Sequence, residues 1–468
     1  MLCPGFIDIH SHADLALLSD PRDLPKTMQG VTTEVFSSCG LGVAPLTETN
    51  GDAIRTLYAP LFGPGPAGPW NWRSVAEFAA RLDRKTSVNV AYQVAHGPVR
   101  LAVMGAEDRE ATPDEIARMA GFVGEALDQG ALGFSTGLAY APMTYCRPPE
   151  LIALTREVAR RNGMFSIHMR DYAGGIGEAV DEAIGVAAGS GARLQISHFM
   201  VWGIPNRGRA GEYAGWIDGA RARGVDVSFD AYPYTAGSTV AQMSLPAWSA
   251  AGGPARQLER LRDPAARRRI LDDMRPRAEN WSHATIAGVK TEKNRGLEGK
   301  NFAEAAREAG KDVLEFLCDL LVEEDLEVTH ITHLGSEPDM RELMGHAAHS
   351  FGSDGLHLAG RPHPRLYGTF PRVLGRYVRE ERLLTLEQAI HKMTGANAAR
   401  VALRDRGVIA EGKAADLVVF DPDAVLDRAT YEDPRRYPDG IHVVMVNGAV
   451  VVRDGQHSGA TPGRLLGR

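Results

Sequence analysis

The chain has 468 residues, 44% of them hydrophobic and 24% charged, with a formal net charge of −7. One bare barrel takes about 250 residues, so large insertions or a second small domain are expected. No basic patch points to nucleic acid and no polybasic tract to membranes. No apolar stretch nears the ~18 residues of a membrane span, and no secretion signal opens the chain, which leaves the cytoplasm as the expected location.

In chain order, apolar runs end near His10, Ser38, Ala95, Thr136, His168, His198, Ala231 and Asp354. Between them lie helical patterns over Pro113–Gln129, Glu150–Arg161, Ile176–Ser190 and Glu212–Arg223, several closed by glycine. Strands alternating with helices build a parallel sheet, and eight such units predict an α/β fold of the (β/α)8 type. A further run, Glu327–His333, competes for the seventh strand, and pattern alone leaves that place open. The segment from about Ala236 to Asn301 is rich in arginine and proline and breaks the alternation, so an insertion over the barrel mouth is expected there. The composition of Phe62–Trp70 is that of an irregular loop. After a helix at Leu386–Met393 the tail turns to short strands. The expected division is a catalytic barrel over 1–400 and a small β-domain over 401–468.

Five of the strand ends carry metal-binding side chains. His10 and His12 stand two apart, so on an extended strand both lean to one face. Cys39, His168, His198 and Asp354 each close a run of their own. Residues at the C-terminal ends of barrel strands converge on one rim, where active sites lie. A lone histidine is more often structural, and Cys3, Cys146 and Cys318 read as inert buried thiols. Cys39 differs because it enters the flexible Gly40-Leu41-Gly42. Imidazoles and a thiolate suit zinc better than magnesium or calcium, and zinc lowers the pKa of bound water so that hydroxide exists near neutrality. Asp354 can ligate, yet a carboxylate beside such a water is also the natural general base. His96, His330, His333, His357 and His363 read as structural or supporting groups, with His96 placed to orient a ligand.

Taken together, these residues resemble the amidohydrolase superfamily, and within it the N-acyl-D-amino-acid deacylases. The resemblance covers nearly the whole chain and rests on Pro4–His12, Ser38–Gly42, Gly133–Pro142, Ser197-His198, Ala231–Thr239, Gly352–Gly355 and His363–Arg372. It implies hydrolysis of the amide of an N-acyl-D-amino acid by metal-bound hydroxide. A tight zinc site would use Cys39, His168 and His198. A weaker position would share Cys39 and use His10, His12 and Asp354, the last being the acid/base. It also implies that Arg365 grips the substrate carboxylate, a task its fork of donors suits, with Tyr140, Tyr232 and Ser238 as supporting contacts.

Related barrels bridge two metals with a carbamylated lysine, and no lysine occurs here between Lys85 and Lys290. That disfavours a cyclic-amide hydrolase of the hydantoinase or dihydropyrimidinase kind, and intact ligands argue against a non-catalytic binding barrel. Two departures stand out. Met200 occupies a position where family members commonly carry lysine, and the first barrel strand comes almost at once, so the small β-domain looks incomplete at its N-terminal side and its tail strands are expected to lack partners.

Overall fold

The computed structural model describes residues 1–63, 65–66 and 69–467, so the expected loop at 62–70 lies partly outside the described residues. Its centre is a parallel sheet of eight strands in sequential order: β1 (Phe6–Asp8), β2 (Val31–Phe36), β3 (Asn89–Ala95), β4 (Gly133–Gly137), β5 (Met164–His168), β6 (Arg193–Ile196), β7 (Val227–Ala231) and β8 (His349–Phe351). Every residue of β2, β3, β4 and β5 is buried, as in parallel strands covered on both faces. The sheet curls until β8 meets β1. That seam is thin. Just beyond the strand ends Gly355 and Leu356 pair in parallel with Ser11 and His12, and Asp354 N donates to His10 O at 2.8 Å.

The helices behind the barrel follow the sequence pattern to within a residue or two. Pro113–Asp128 starts on a capping box in which the Thr112 hydroxyl and the Glu115 carboxylate each accept from the other's backbone N–H, with proline in the first turn. Ile176–Ser190 ends on Gly191 at φ 76°, a left-handed cap that glycine adopts without penalty.

Val227–Ala231 is the seventh barrel strand, which settles the competition. Thr329–Thr332, from the rival run, lies between Gly237–Val240 and Ala284–Gly288 in a separate antiparallel sheet. Gly237 follows Ala231 too closely for a parallel crossover, which needs about a dozen residues. The chain therefore turns out of the barrel into this sheet, packed on an apolar cluster of its own that includes Leu261, Ile270, Trp281, Phe302, Leu317 and Val328.

The tail strands Leu417–Phe420, Ile441–Val446, Ala449–Arg453 and Gln456–His457 form an antiparallel sheet that takes Leu2–Pro4 as its fifth strand. Cys3 faces Val418 across that pair, so the strand at Leu417–Phe420 has a partner after all. Among the described residues no helix is long and apolar enough to cross a membrane.

Candidate active site

All six metal-binding candidates meet at the C-terminal rim of the barrel and all are largely buried. Cys39 Sγ lies 3.3 Å from His10 Nε2 and 3.5 Å from His198 Nε2. The His168 and His198 rings stand 4.6 Å apart, centre to centre. Asp354 Oδ1 is 3.1 Å from His12 Nε2 and 3.4 Å from His10 Nε2. Three overlapping donor groups result, Cys39 with His168 and His198, His10 with His12 and Cys39, and His10 with His198 and Asp354, each with ligand atoms within 4.8 Å of one another.

The backbone bends sharply to achieve this. Cys39, His198 and Asp354 have φ of 56°, 36° and 49°, left-handed values that cost a non-glycine residue energy and cluster at functional sites. Two glycines admit the Cys39 turn. A Cβ on Gly40 would fall 2.7 Å from Gly137 N, and one on Gly137 only 2.1 Å from Cys39 O. β4 thus ends in the space where the Cys39 loop rests.

Burial sets the protonation of the group. It pushes the His168 imidazole down to about 3 and holds His12 and His198 below their usual range, so these rings are neutral and keep a lone pair to offer. His10 is the exception: burial lowers it, but Cys39, Asp230 and Asp354 outweigh that and raise it. Burial raises the Cys39 thiol. Burial also opposes ionisation of Asp354, yet Arg365, His10 and His12 hold its carboxyl well below the ordinary carboxylate range.

The substrate-contact candidates surround this cluster. Arg365, fully buried, donates from Nη2 to Asp354 Oδ2 at 3.0 Å and to Ser238 O at 3.2 Å, and its guanidinium carbon lies 4.4 Å from the centre of the Tyr232 ring. Its Nε and Nη1 have no partner among the described residues. Ser238 therefore meets Arg365 through its carbonyl, while its hydroxyl is buried and without a partner among the described residues. Tyr140 sets its ring 4.8 Å from His168 and shares a hydrogen bond with Thr239 Oγ1 at 2.9 Å. Met200 packs with Ala231, Tyr232 and Tyr234.

Sequence reasoning passed over Asp230, at the end of β7. Its Oδ1 accepts from His10 Nδ1 at 3.0 Å and from His198 N at 2.9 Å, and its Oδ2 from Gln195 Nε2 at 3.0 Å. That fixes the His10 tautomer with Nε2 turned to Cys39. The signal was present as an acid on a counted strand end. Also missed is the charge cluster beneath the site, where buried Lys26 contacts Asp8, Glu34 at 3.4 Å and Ser353 Oγ at 2.7 Å, and Asp8 Oδ1 accepts from Ser353 N at 2.8 Å. His96 bonds Thr136 and Glu150, each at 2.9 Å, rather than any of the six. With Cys146 and Glu150 it forms another donor group, but Arg100 already neutralises that carboxylate.

An eight-stranded parallel barrel with imidazole, thiol and carboxylate groups gathered at its C-terminal rim places the chain in the class of barrel hydrolases. The sequence profile of the amidohydrolase family matches residues 1–452, and the chain belongs to that family. It is 38% identical over 470 residues to a D-aminoacylase from Alcaligenes xylosoxydans xylosoxydans, covering 100% of this chain and 87% of that one. It is 35% identical over 474 residues to an N-acyl-D-aspartate deacylase of the same organism, covering 99% of this chain and 84% of the relative. The crystal structure of an N-acyl-D-glutamate deacylase from Bordetella bronchiseptica, complexed with zinc and a phosphonate that mimics the tetrahedral intermediate, superposes with a TM-score of 0.85. It is 35% identical, and the match covers 100% of this chain and 89% of that one.

Proposed function

We propose that this protein is a zinc-dependent hydrolase of the amide bond of N-acyl-D-amino acids, releasing a carboxylate and a free D-amino acid. The observation that carries the proposal is the convergence of Cys39, His168 and His198 with His10, His12 and Asp354 in a buried rim site, in a chain that aligns over its full length with deacylases of this kind. A mixed sulfur, nitrogen and oxygen donor set fits zinc.

In this reading Cys39, His168 and His198 hold the tight ion, and His10, His12 and Asp354 form a second, weaker position that shares Cys39. Bound zinc would supply an acidified water and polarise the acyl carbonyl. Asp354, kept ionised by Arg365, takes a proton from the attacking water and returns it to the departing nitrogen. Arg365 turns its unpaired Nε and Nη1 to the substrate carboxylate, Tyr232 supports its guanidinium and Ser238 O fixes its far side. Tyr140 walls the site beside His168. Asp230 keeps His10 in the tautomer that presents Nε2. A small-molecule substrate, no nucleic-acid or membrane partner and a cytoplasmic location complete the proposal, together with a division into a barrel and a small β-domain.

The test is a screen of N-acetyl-D- and N-acetyl-L-amino acids, hydantoin and dihydrouracil with zinc-loaded protein. Amine release from the D series supports the reading. Turnover confined to the cyclic amides, or to the L series, would overturn it.

A further inference from the structure

The chain that leaves β5 is fastened before it reaches the helix Ile176–Ser190. Arg170 donates to Thr144 O at 2.7 Å, to Cys146 O at 3.2 Å and, through Nε and Nη2, to both carboxylate oxygens of Glu182. Asp171 Oδ1 accepts from Ala173 N at 2.6 Å and its Oδ2 from Gly175 N at 3.1 Å, which closes a turn around Tyr172. Tyr172 is thereby aimed from a fixed loop at two ligand-bearing strand ends.

Its single phenol oxygen joins them. Met169 N, next to His168, donates to Tyr172 Oη at 3.0 Å, and Tyr172 Oη donates to Ser197 O, next to His198, at 2.9 Å. The backbone ladder between β5 and β6 reaches the bond from Ser197 N to Ile167 O at 2.9 Å, and the phenol carries the pairing further toward the rim. The Tyr172 ring stands 5.1 Å from that of His168 and 5.0 Å from that of His198, at interplanar angles of 77° and 59°. Both imidazoles need such support. The φ of 36° at His198 persists only where neighbours over-determine it, and Asp230 holds its N–H while Tyr172 holds the preceding carbonyl. A carboxylate fixes the His10 ring, whereas among the described residues none pairs with His168, whose ring is held by contacts with Tyr140, Tyr172 and His198.

We propose that Tyr172 is a positioning residue of the metal centre: its hydroxyl sets the separation of the β5 and β6 ends, and its ring sets the orientation of the His168 and His198 imidazoles. The inference rests on the zinc reading above and adds to it a residue that acts through two of the ligands. Orienting partners of metal ligands are worth about 10–100-fold in metal affinity or activity. The hydroxyl carries much of the effect, because its loss strands the Met169 N–H and the Ser197 carbonyl, each one peptide away from a ligand.

The experiment compares the parent with Tyr172→Phe, which keeps the ring and removes the staple, and with Tyr172→Leu, which removes both. Zinc affinity, by competition with a chromogenic chelator, should fall about tenfold in Y172F and further in Y172L. The cobalt(II)-substituted proteins report geometry directly, and their visible ligand-field bands should move at unchanged metal content. At saturating zinc, kcat should fall about tenfold while KM for an N-acyl-D-amino acid holds, since Arg365 stands on another element. Y172F with parental zinc affinity and parental cobalt bands overturns the proposal, whether or not metal-free melting curves show a loss of stability, which alone would mark a merely structural tyrosine. Should Y172L fail to fold, Y172F decides. Absence of amide hydrolysis in parent and variants alike overturns the deacylase reading, and the staple is still judged by zinc affinity and the cobalt bands. A parent that takes up neither zinc nor cobalt overturns the metal centre and the staple together.

Discussion

Replacing Lys26 by methionine should weaken the barrel at its thinnest joint, in a way that depends on pH. Lys26 is fully buried and is the cation shared by Asp8 and Glu34. Burial by itself would push Glu34 up, but Lys26 and a bond from Asp23 bring its carboxyl down to about 2. Burial and the neighbouring Glu34 raise Asp23 well above its usual range, so it keeps its proton. Donated to Glu34, that proton satisfies Glu34 Oε1 and one of the two Asp23 oxygens that otherwise lack partners. From 4.5 to about 2, the Glu34 shift alone corresponds to about 3 kcal/mol at neutral pH. Removing the cation from such a cluster costs roughly 3–5 kcal/mol. Unfolding entropy of about 2 cal/mol/K per residue over 468 residues makes that a fall of roughly 3–5 °C in Tm. The sign with pH is fixed. In the parent protein Glu34's contribution is complete above the ordinary glutamate range and is lost only as pH falls toward about 2. In the variant the stranded carboxylates must take protons to remain buried, so the deficit is largest at pH 8 and shrinks toward pH 5. Because Lys26 and Asp8 both hold Ser353, next to Asp354, zinc affinity should fall as well. Scanning calorimetry of metal-free parent and K26M protein from pH 5 to 8 is the assay. Equal Tm values across that range would refute the reasoning.

Asp354→Asn should lower kcat by about 10²–10⁴-fold while zinc is still bound through the other donors, read by steady-state kinetics beside a metal assay. Cys39→Ala should empty or weaken the metal centre, since every pairing of the two proposed positions passes through that sulfur; zinc content after dialysis is the measure. Asp230→Asn should reduce zinc affinity about 10–100-fold by freeing the His10 ring, seen in competition with a chromogenic chelator. Burial holds His330, packed against Trp281 and Phe302, down to about 4. The unfolded chain therefore binds a proton first, and about 3 kcal/mol is lost as pH falls from 6.5 to about 4. His330→Phe should flatten that acid limb in urea unfolding curves.

Much of the site was legible because barrel chemistry sits at strand ends, and strand ends are what hydrophobic runs mark. Phe6–His10, Thr32–Cys39, Met164–His168 and Leu194–His198 each announce a buried strand and its terminal donor. What escaped depends on distance along the chain. Asp230 acquires meaning only when the barrel closes and brings β7 within two strands of β1, where its carboxylate reaches His10. Lys26, Asp8 and Glu34 lie on separate elements, and their mutual neutralisation appears only after closure. The run at Glu327–His333 could not be placed from its composition, since a strand carries no mark of whether its neighbours run parallel or antiparallel. Leu2–Pro4 is too short to signal a strand, and its pairing with Leu417–Phe420 spans almost the whole sequence.

The insertion that begins at Gly237 gathers its helices around apolar side chains of its own, while Val240, Ala287 and Ile331 of its sheet join the barrel's core. The outer helices can therefore drift in sequence while the sheet beneath them stays anchored to the barrel. Changes inside the insertion can reshape what enters without moving Cys39, His168 or His198, so a lineage can sample new substrates while its hydrolytic machinery stays intact.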